Sequence, residues 1–326
     1  MAAADQIKSL IKSFAEGDED RFYATAMQIA AAEARNGHMA LAEELKKIID
    51  KAKTSKRMAF GVVKPFPVNA TQKELHDLLE LIHPKEKLKE MVLSDSVQKS
   101  LNRILDEQRH ADLLRQNNLF PRKKLLFIGP PGCGKTMSAR VLASELGFPL
   151  FIIRLDGLIS KYMGESISKL RLIFEAMHQL RAVYLFDEFD SIGTTRTQGN
   201  EVGEIKRILN TFLLQIEKDD SNSLIIAATN LPEFLDTALF RRFDDIIQYP
   251  LPTKTEIHKL YKNELREFKL GKTINLDKVA SVSVGLSFAD IHRICEDVVK
   301  NMLVYGSKII SEDLLISHAQ QRKNLF

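Results

Sequence analysis

One run of eight residues has the types and spacing for phosphate chemistry: Gly129-Pro130-Pro131-Gly132-Cys133-Gly134-Lys135-Thr136 fits G-x-x-x-x-G-K-[ST]. The glycines let backbone N–H groups close around phosphate oxygens, where a Cβ would clash. Lys135 is suited to hold β- and γ-phosphates, and the Thr136 hydroxyl to ligate Mg²⁺. The backbone from Pro131 through Gly132, Cys133 and Gly134 to Met137 would form the cradle, with a helix N-terminus adding donors and partial positive charge. A nucleoside triphosphate with Mg²⁺ is therefore expected at this loop.

Three further stretches carry polar residues at the ends of apolar runs. Val183-Tyr184-Leu185-Phe186-Asp187-Glu188 ends in two carboxylates. Asp187 would hold Mg²⁺, directly or through water, and Glu188 would polarise the attacking water. Successive residues of a strand face opposite ways, so different tasks are expected of them. Ile225-Ile226-Ala227-Ala228-Thr229-Asn230 ends in a polar pair. Asn230 either orients the hydrolytic water or merely starts the turn before Leu231-Pro232. Phe240-Arg241-Arg242-Phe243-Asp244 places two guanidiniums together. They are either plain surface charge or reach the γ-phosphate bound by a neighbouring copy of the chain. The second task suits a planar fork that never deprotonates.

The elements that must position these residues are legible from periodicity. Strand-like runs near 124–128, 150–154, 182–186, 224–228 and 246–249 alternate with helical patterns. That alternation predicts an α/β fold, a parallel five-stranded sheet flanked by helices. After Pro250 and Pro252 only helices are expected, starting near Thr255, Leu276, Ser287 and Ser311. Residues 5–53 read as three short amphipathic helices, one carrying Ile7, Leu10, Ile11 and Phe14. Residues 54–72 read as a linker, and 73–117 as helix, with a long one from Ser96 to near Asn117-Asn118. The expected domains are an N-terminal bundle over 1–55, a linker and helix over 56–90, an ATPase domain over 91–252 and a helical lid over 253–326.

Bulk properties exclude several classes. The 326 residues are 44% apolar, enough for ordinary cores, and the net charge of +4 gives no basic signature of nucleic-acid binding. Cys133 and Cys295 are the two cysteines, and one lies inside the phosphate loop, so a structural disulfide is not expected and a reducing cytoplasm is. The first residues show no secretory pattern, and no apolar run has the length of a membrane span.

These motifs together resemble the classical AAA family of ATPases. Gly129–Thr136 resembles its Walker A loop, Phe186–Ile192 its Walker B segment, and Ala228-Thr229-Asn230 its sensor 1. Asp236–Asp244 with Tyr249-Pro250-Leu251-Pro252 resembles the second region of homology, with arginine spacing similar to the spastin and katanin branch. The resemblance implies arginine fingers at Arg241 and Arg242 acting between subunits, and catalytic roles for Glu188 and Asn230. It implies a pore loop at Lys161-Tyr162-Met163-Gly164, with Tyr162 and Met163 gripping substrate, and a second within Thr194–Gly203. Gly285-Leu286-Ser287-Phe288-Ala289-Asp290-Ile291 matches the lid stretch that lies against the base, placing Ala289 there; Phe288 replaces a glycine, and Cys133 a more usual Thr or Ser.

The implied function is an ATP-hydrolysing motor, assembled as a homo-hexamer, that remodels or threads protein. Its N-terminal bundle would take an adaptor or client. That bundle also looks like the head of bacterial AAA proteins paired with a subtilisin-like protease. A nucleotide-gated switch, or a DNA-associated ATPase without threading, is the alternative.

Overall fold

The structure, a computed structural model, describes residues 19–35, 37–39, 41–49, 75, 77–158, 165–192, 200–234, 237–268, 271, 274–306 and 309–324. The chain divides into two units, Met1–Val62 and Val63–Phe326. In the first, helix α1 spans Glu19–Arg35 and α2 spans 41–49. Ala30 and Ile49 are buried, whereas Leu41 and Ile48, expected on the same apolar stripe of α2 as Ile49, are exposed. The expected helix carrying Ile7 to Phe14 lies outside the described residues.

The second unit begins with strand β1 (Leu79–Ile82), then α3 (Asp95–Arg109) and α4 (Ala111–Gln116). There follow β2 (Lys124–Ile128), α5 (Lys135–Leu146), β3 (Leu150–Ile153), α6 (Leu155–Leu158) and α7 (Glu165–Gln179). Next come β4 (Val183–Phe186), α8 (Asn200–Lys218), β5 (Leu224–Thr229), α9 (Thr237–Phe240) and β6 (Asp245–Gln248). The sheet order is β1-β3-β4-β5-β2-β6. The five expected strands pair in parallel, and β1 adds a sixth, antiparallel to β3.

Two expectations for residues 73–117 are corrected. The stretch Leu79–Ile82 is a strand, because the open edge of β3 supplies hydrogen-bond partners that outweigh local propensity. The long helix breaks at His110, which caps α3 and precedes α4, its ring nitrogen Nδ1 lying 2.8 Å from the carbonyl of Asp106.

Every residue of β4 and β5 is buried, as expected for a sheet covered on both faces. Alternate side chains feed two cores. Tyr184, Phe186, Ile225 and Ala227 pack with Phe174 of α7 and Phe212 of α8. Val183, Leu185, Ile226 and Ala228 pack on the opposite face with Leu101 of α3 and Leu142 of α5. Register aligns Ile128 with Thr229 and Phe186 with Ala227, so the chain leaves β2, β4 and β5 along one edge of the sheet.

Four helices follow: α10 (Lys254–Glu264), α11 (Leu276–Ser283), α12 (Phe288–Val304) and α13 (Glu312–Lys323). They bury a core of their own around Ile257, Tyr261, Ile291, Cys295 and Leu315. Their starts match the expected positions because each has a capping side chain, namely Thr253, Asn275, Ser287 and Ser311. At α12 the box is reciprocal: Ser287 Oγ accepts from Asp290 N at 3.2 Å, and Ser287 N donates to Asp290 Oδ2 at 3.1 Å. Arg322 of α13 donates to the other carboxylate oxygen at 2.9 Å.

Burial alone would raise the Asp290 pKa, but the hydrogen bonds from Ser287 and Arg322 outweigh it and hold the carboxyl below its ordinary value. A depressed folded-state pKa stabilises the fold above the unfolded pKa, and that stabilisation is lost as pH falls through the folded pKa. Asp290→Asn should therefore cost about 1–2 kcal/mol at pH 7, with the gap to the parent narrowing as pH falls below about 4. Urea denaturation at neutral and acidic pH measures this.

Candidate active site

The phosphate-loop residues leave β2 and enter α5 through two left-handed glycines, Gly132 at φ 73° and Gly134 at φ 96°. A Cβ at Gly132 would also lie 2.5 Å from Ser287 Oγ and 2.9 Å from the Ala289 Cβ. The space is needed because the start of α12 sits on the loop, with Ala289 N donating to Gly132 O at 3.1 Å. Ala289 thus touches the loop itself.

Lys135 is 6% exposed. Its Nζ donates to the carbonyls of Gly129 at 2.6 Å and Pro130 at 2.8 Å, and to Asn230 Oδ1 at 2.8 Å. These three acceptors are all neutral oxygens. Burial pushes the ammonium's pKa below the ordinary lysine value. A buried cation on neutral acceptors fits an arriving anion. Thr136 Oγ1 donates to Asp187 Oδ2 at 2.7 Å, which sets a hydroxyl beside a carboxylate, the hard oxygen donors Mg²⁺ takes. The residues present therefore fit a magnesium nucleotide.

Glu188 departs from the expected extended alternation. Strand β4 ends at Phe186, and Glu188 adopts φ 49°, a left-handed conformation uncommon outside glycine. Its N–H donates to Asp187 Oδ1 at 3.0 Å, so the two carboxylates are separated by a turn. Asn230 precedes a short 3₁₀ turn, Pro232–Phe234, and its side-chain oxygen accepts from Lys135.

Sequence reasoning assigned no task to Asp190. Its Oδ1 accepts from Thr229 Oγ1 at 3.0 Å and Asn230 N at 3.1 Å, fixing the end of β5. The signal was present as a third carboxylate within Phe186–Ile192. Cys133 is 1% exposed, and burial pushes its thiol pKa up. It is a neutral packing group in the backbone-built loop.

A cleft of about 650 Å³ brings these groups together. Residues 131–137, Asp187, Glu188, Asn230 and Ala289 line one part. Phe288, from the Gly285–Ile291 stretch, lines a more apolar part together with Met91, Val92, Leu93 and Leu260, which the motifs did not mark. His292 and Glu264 pair across α12 and α10 at 3.0 Å and line the same cleft. Arg241 and Arg242 are not in it. They lie on the turn before β6, and Asp244 N donates to Lys124 O at the start of β2. The phosphate loop leaves the other end of that five-residue strand, roughly 17 Å away. Tyr162 and Met163, and 194–199 of the second expected pore loop, lie outside the described residues.

Two substitutions test this geometry. Gly132→Ala should weaken nucleotide binding at least about tenfold, since the methyl collides with α12 and the residue must hold positive φ; titration with a fluorescent ATP analogue measures it. Glu188→Gly should abolish turnover without lowering the melting temperature, because relief of about 1–3 kcal/mol of left-handed strain exceeds the roughly 0.5–1 kcal/mol entropic cost of glycine. Paired melting and phosphate-release assays measure both.

Residues 125–251 match the model of the ATPase family associated with various cellular activities (AAA). An uncharacterized AAA family ATPase of Sinorhizobium fredii is 36% identical over 315 residues, covering 96% of this chain and 93% of the relative. Katanin p60 ATPase-containing proteins of the A-like 1 type are similar over 187 residues, at 39% identity for Rattus norvegicus and 38% for Homo sapiens. That match covers 54% of this chain and 38% of the katanin proteins' length. The near full-length likeness, with a phosphate loop and acidic strand end meeting in one cleft, makes this chain a member of the AAA family of ATPases.

Proposed function

We propose that this ATPase hydrolyses ATP to ADP and phosphate at a site completed by a second copy of the chain. In this reading it works as a ring-forming motor, a homo-hexamer, that remodels or threads protein. The observation that carries the reading is the separation of the two halves of the chemistry. The cradle, the metal ligands and Glu188 meet at one edge of the sheet, while Arg241 and Arg242 sit at the start of β6, toward the other edge. An arginine side chain is too short to span β2, so these cations serve the nucleotide of a different copy.

Bound Mg²⁺–ATP supplies the electrophilic terminal phosphorus and the leaving diphosphate. Lys135 neutralises the β/γ oxygens, and Thr136 with Asp187 holds the metal. Glu188 takes a proton from the attacking water, and Asn230 orients that water. Arg241 and Arg242 of the neighbour stabilise charge on the transferred phosphoryl group. The left-handed turn at Glu188 supports its role, since strained non-glycine backbone clusters where function demands a particular side-chain direction.

The likeness to katanin-type relatives supports self-assembly. Threading through Tyr162 and Met163, an adaptor or client on the N-terminal bundle, a subtilisin-like protease partner and a cytoplasmic setting extend this reading. No described helix is long and apolar enough to cross a membrane.

Glu188→Gln should bind ATP, lose at least about 100-fold in turnover and hold the assembly together, seen by sizing with and without ATP. Parent turnover per chain should rise with protein concentration. A dilute monomer with undiminished turnover would overturn the shared site.

A further inference from the structure

The turn carrying Arg242 is enclosed by contacts that the nucleotide chemistry does not account for. Asp244, two residues on, uses one carboxylate oxygen to accept the backbone N–H of Lys123 and of Lys124, each at 2.9 Å. Its own N–H donates to Lys124 O at 2.8 Å. These bonds tie the turn to the first residues of β2. Arg242 N donates to Leu239 O at 3.1 Å, which ties it back to α9.

The side chain of Arg242 is held from another direction. Its Nε donates to Glu217 Oε2 at 3.2 Å, in the last turn of α8. Just beyond that helix, Lys123 Nζ donates to Asp219 Oδ2 at 2.8 Å, Asp219 O at 3.1 Å and Ser221 O at 2.7 Å. The contacts close a ring: Arg242 to Glu217, along the chain to Asp219 and Ser221, across to Lys123, then to Asp244 and back to Arg242.

Magnitudes separate the parts. The Asp219 side chain is 0% exposed and ion-paired, so Lys123–Asp219 is the anchor, and removing either partner would strand a buried charge. Glu217 is 60% exposed, and an exposed pair of that kind adds at most about 1 kcal/mol to stability. Its effect lies in where it points the guanidinium. The contact is to Nε, at the root of the fork, so it sets the direction of the whole group.

We propose that Asp244 and Glu217 are positioning residues that preset Arg242 for the nucleotide of the adjoining copy, Asp244 through the backbone of the turn and Glu217 through the guanidinium. Neither touches nucleotide in its own chain. Both act through Arg242, and so only on a neighbour's turnover. This rests on the shared-site reading above.

The test is complementation between variants of the full chain. Asp244→Ala and Glu217→Ala should each lower kcat, Asp244→Ala by about 10- to 100-fold and Glu217→Ala by at least about fivefold, since misplacement by about an ångström costs that order. The Kd for a fluorescent ATP analogue should stay within about twofold, because the cradle is untouched. Asp244→Asn keeps the accepting oxygen and should recover most of the rate.

Lys135→Ala chains have no working cradle but a sound arginine turn. Mixing them with Asp244→Ala or Glu217→Ala should restore turnover at the intact cradles. The control is Arg242→Ala mixed with Lys135→Ala. If the control is restored and the Asp244 and Glu217 mixtures are not, the defect lies in each chain's own site and the proposal falls alone. Unchanged kcat in both variants overturns it as well. If the control is not restored, the shared site fails and takes the proposal with it. Should Asp244→Ala not fold, Glu217→Ala, at an exposed position, decides.

Discussion

The structure turns on a buried ammonium. Lys135 is almost fully enclosed, and its three hydrogen-bond acceptors are oxygens without formal charge. Carbonyl dipoles offset part of the desolvation of a cation, but not all of it. At an effective dielectric near 20, a unit negative charge about 4 Å away gains about 4 kcal/mol from such a cation. The fold tolerates the burial because Asn230 and the loop carbonyls are fixed by the sheet. Asp190 secures Asn230 through its backbone N–H, and Thr229 through its hydroxyl. The polar network is thus an extension of β5.

That dependence explains the sheet order. Strand β2 lies between β5 and β6, so its two ends have different neighbours that matter. At its C-terminal end the adjoining β5 delivers Asn230 to Lys135. At its N-terminal end Asp244, just before β6, grips the backbone of Lys123 and Lys124. One five-residue rod therefore carries the cradle at one end and braces the arginine turn at the other. Phe127 and Tyr249 pack against each other at 5.2 Å between ring centres, joining β2 to the segment that follows β6.

The parts legible in the sequence were those specified by local chemistry. The phosphate loop needs glycines at fixed offsets, the buried strands need unbroken apolar runs, and the C-terminal helices begin close to the expected Thr255, Leu276, Ser287 and Ser311, where the structure shows capping side chains. What was not legible depends on partners distant in sequence. Leu79–Ile82 becomes a strand only because β3 offers an edge. The break at His110 and the left-handed Glu188 are conformations no periodicity encodes. The apolar part of the cleft from Met91 to Leu93 and at Leu260 assembles segments more than 160 residues apart in sequence. Each is an ordinary apolar residue until folding brings them together.

Gly132 shows how two constraints converge on one position. A phosphate cradle asks for glycine there because backbone N–H groups must turn inward at positive φ. The helical C-terminal region asks for it again, because Ser287 and Ala289 occupy the space a side chain would take. The same residue then accepts the Ala289 N–H, so the loop and the start of α12 share a hydrogen bond as well as a contact. Asp290 joins Arg322 of α13 to Ser287 at that helix start, beside the Ala289 N–H that reaches the loop. A loop shaped to fit both phosphate and helix cannot change shape for one without disturbing the other. The loop and the start of α12 are therefore fitted to each other at Gly132, by packing as well as by a hydrogen bond.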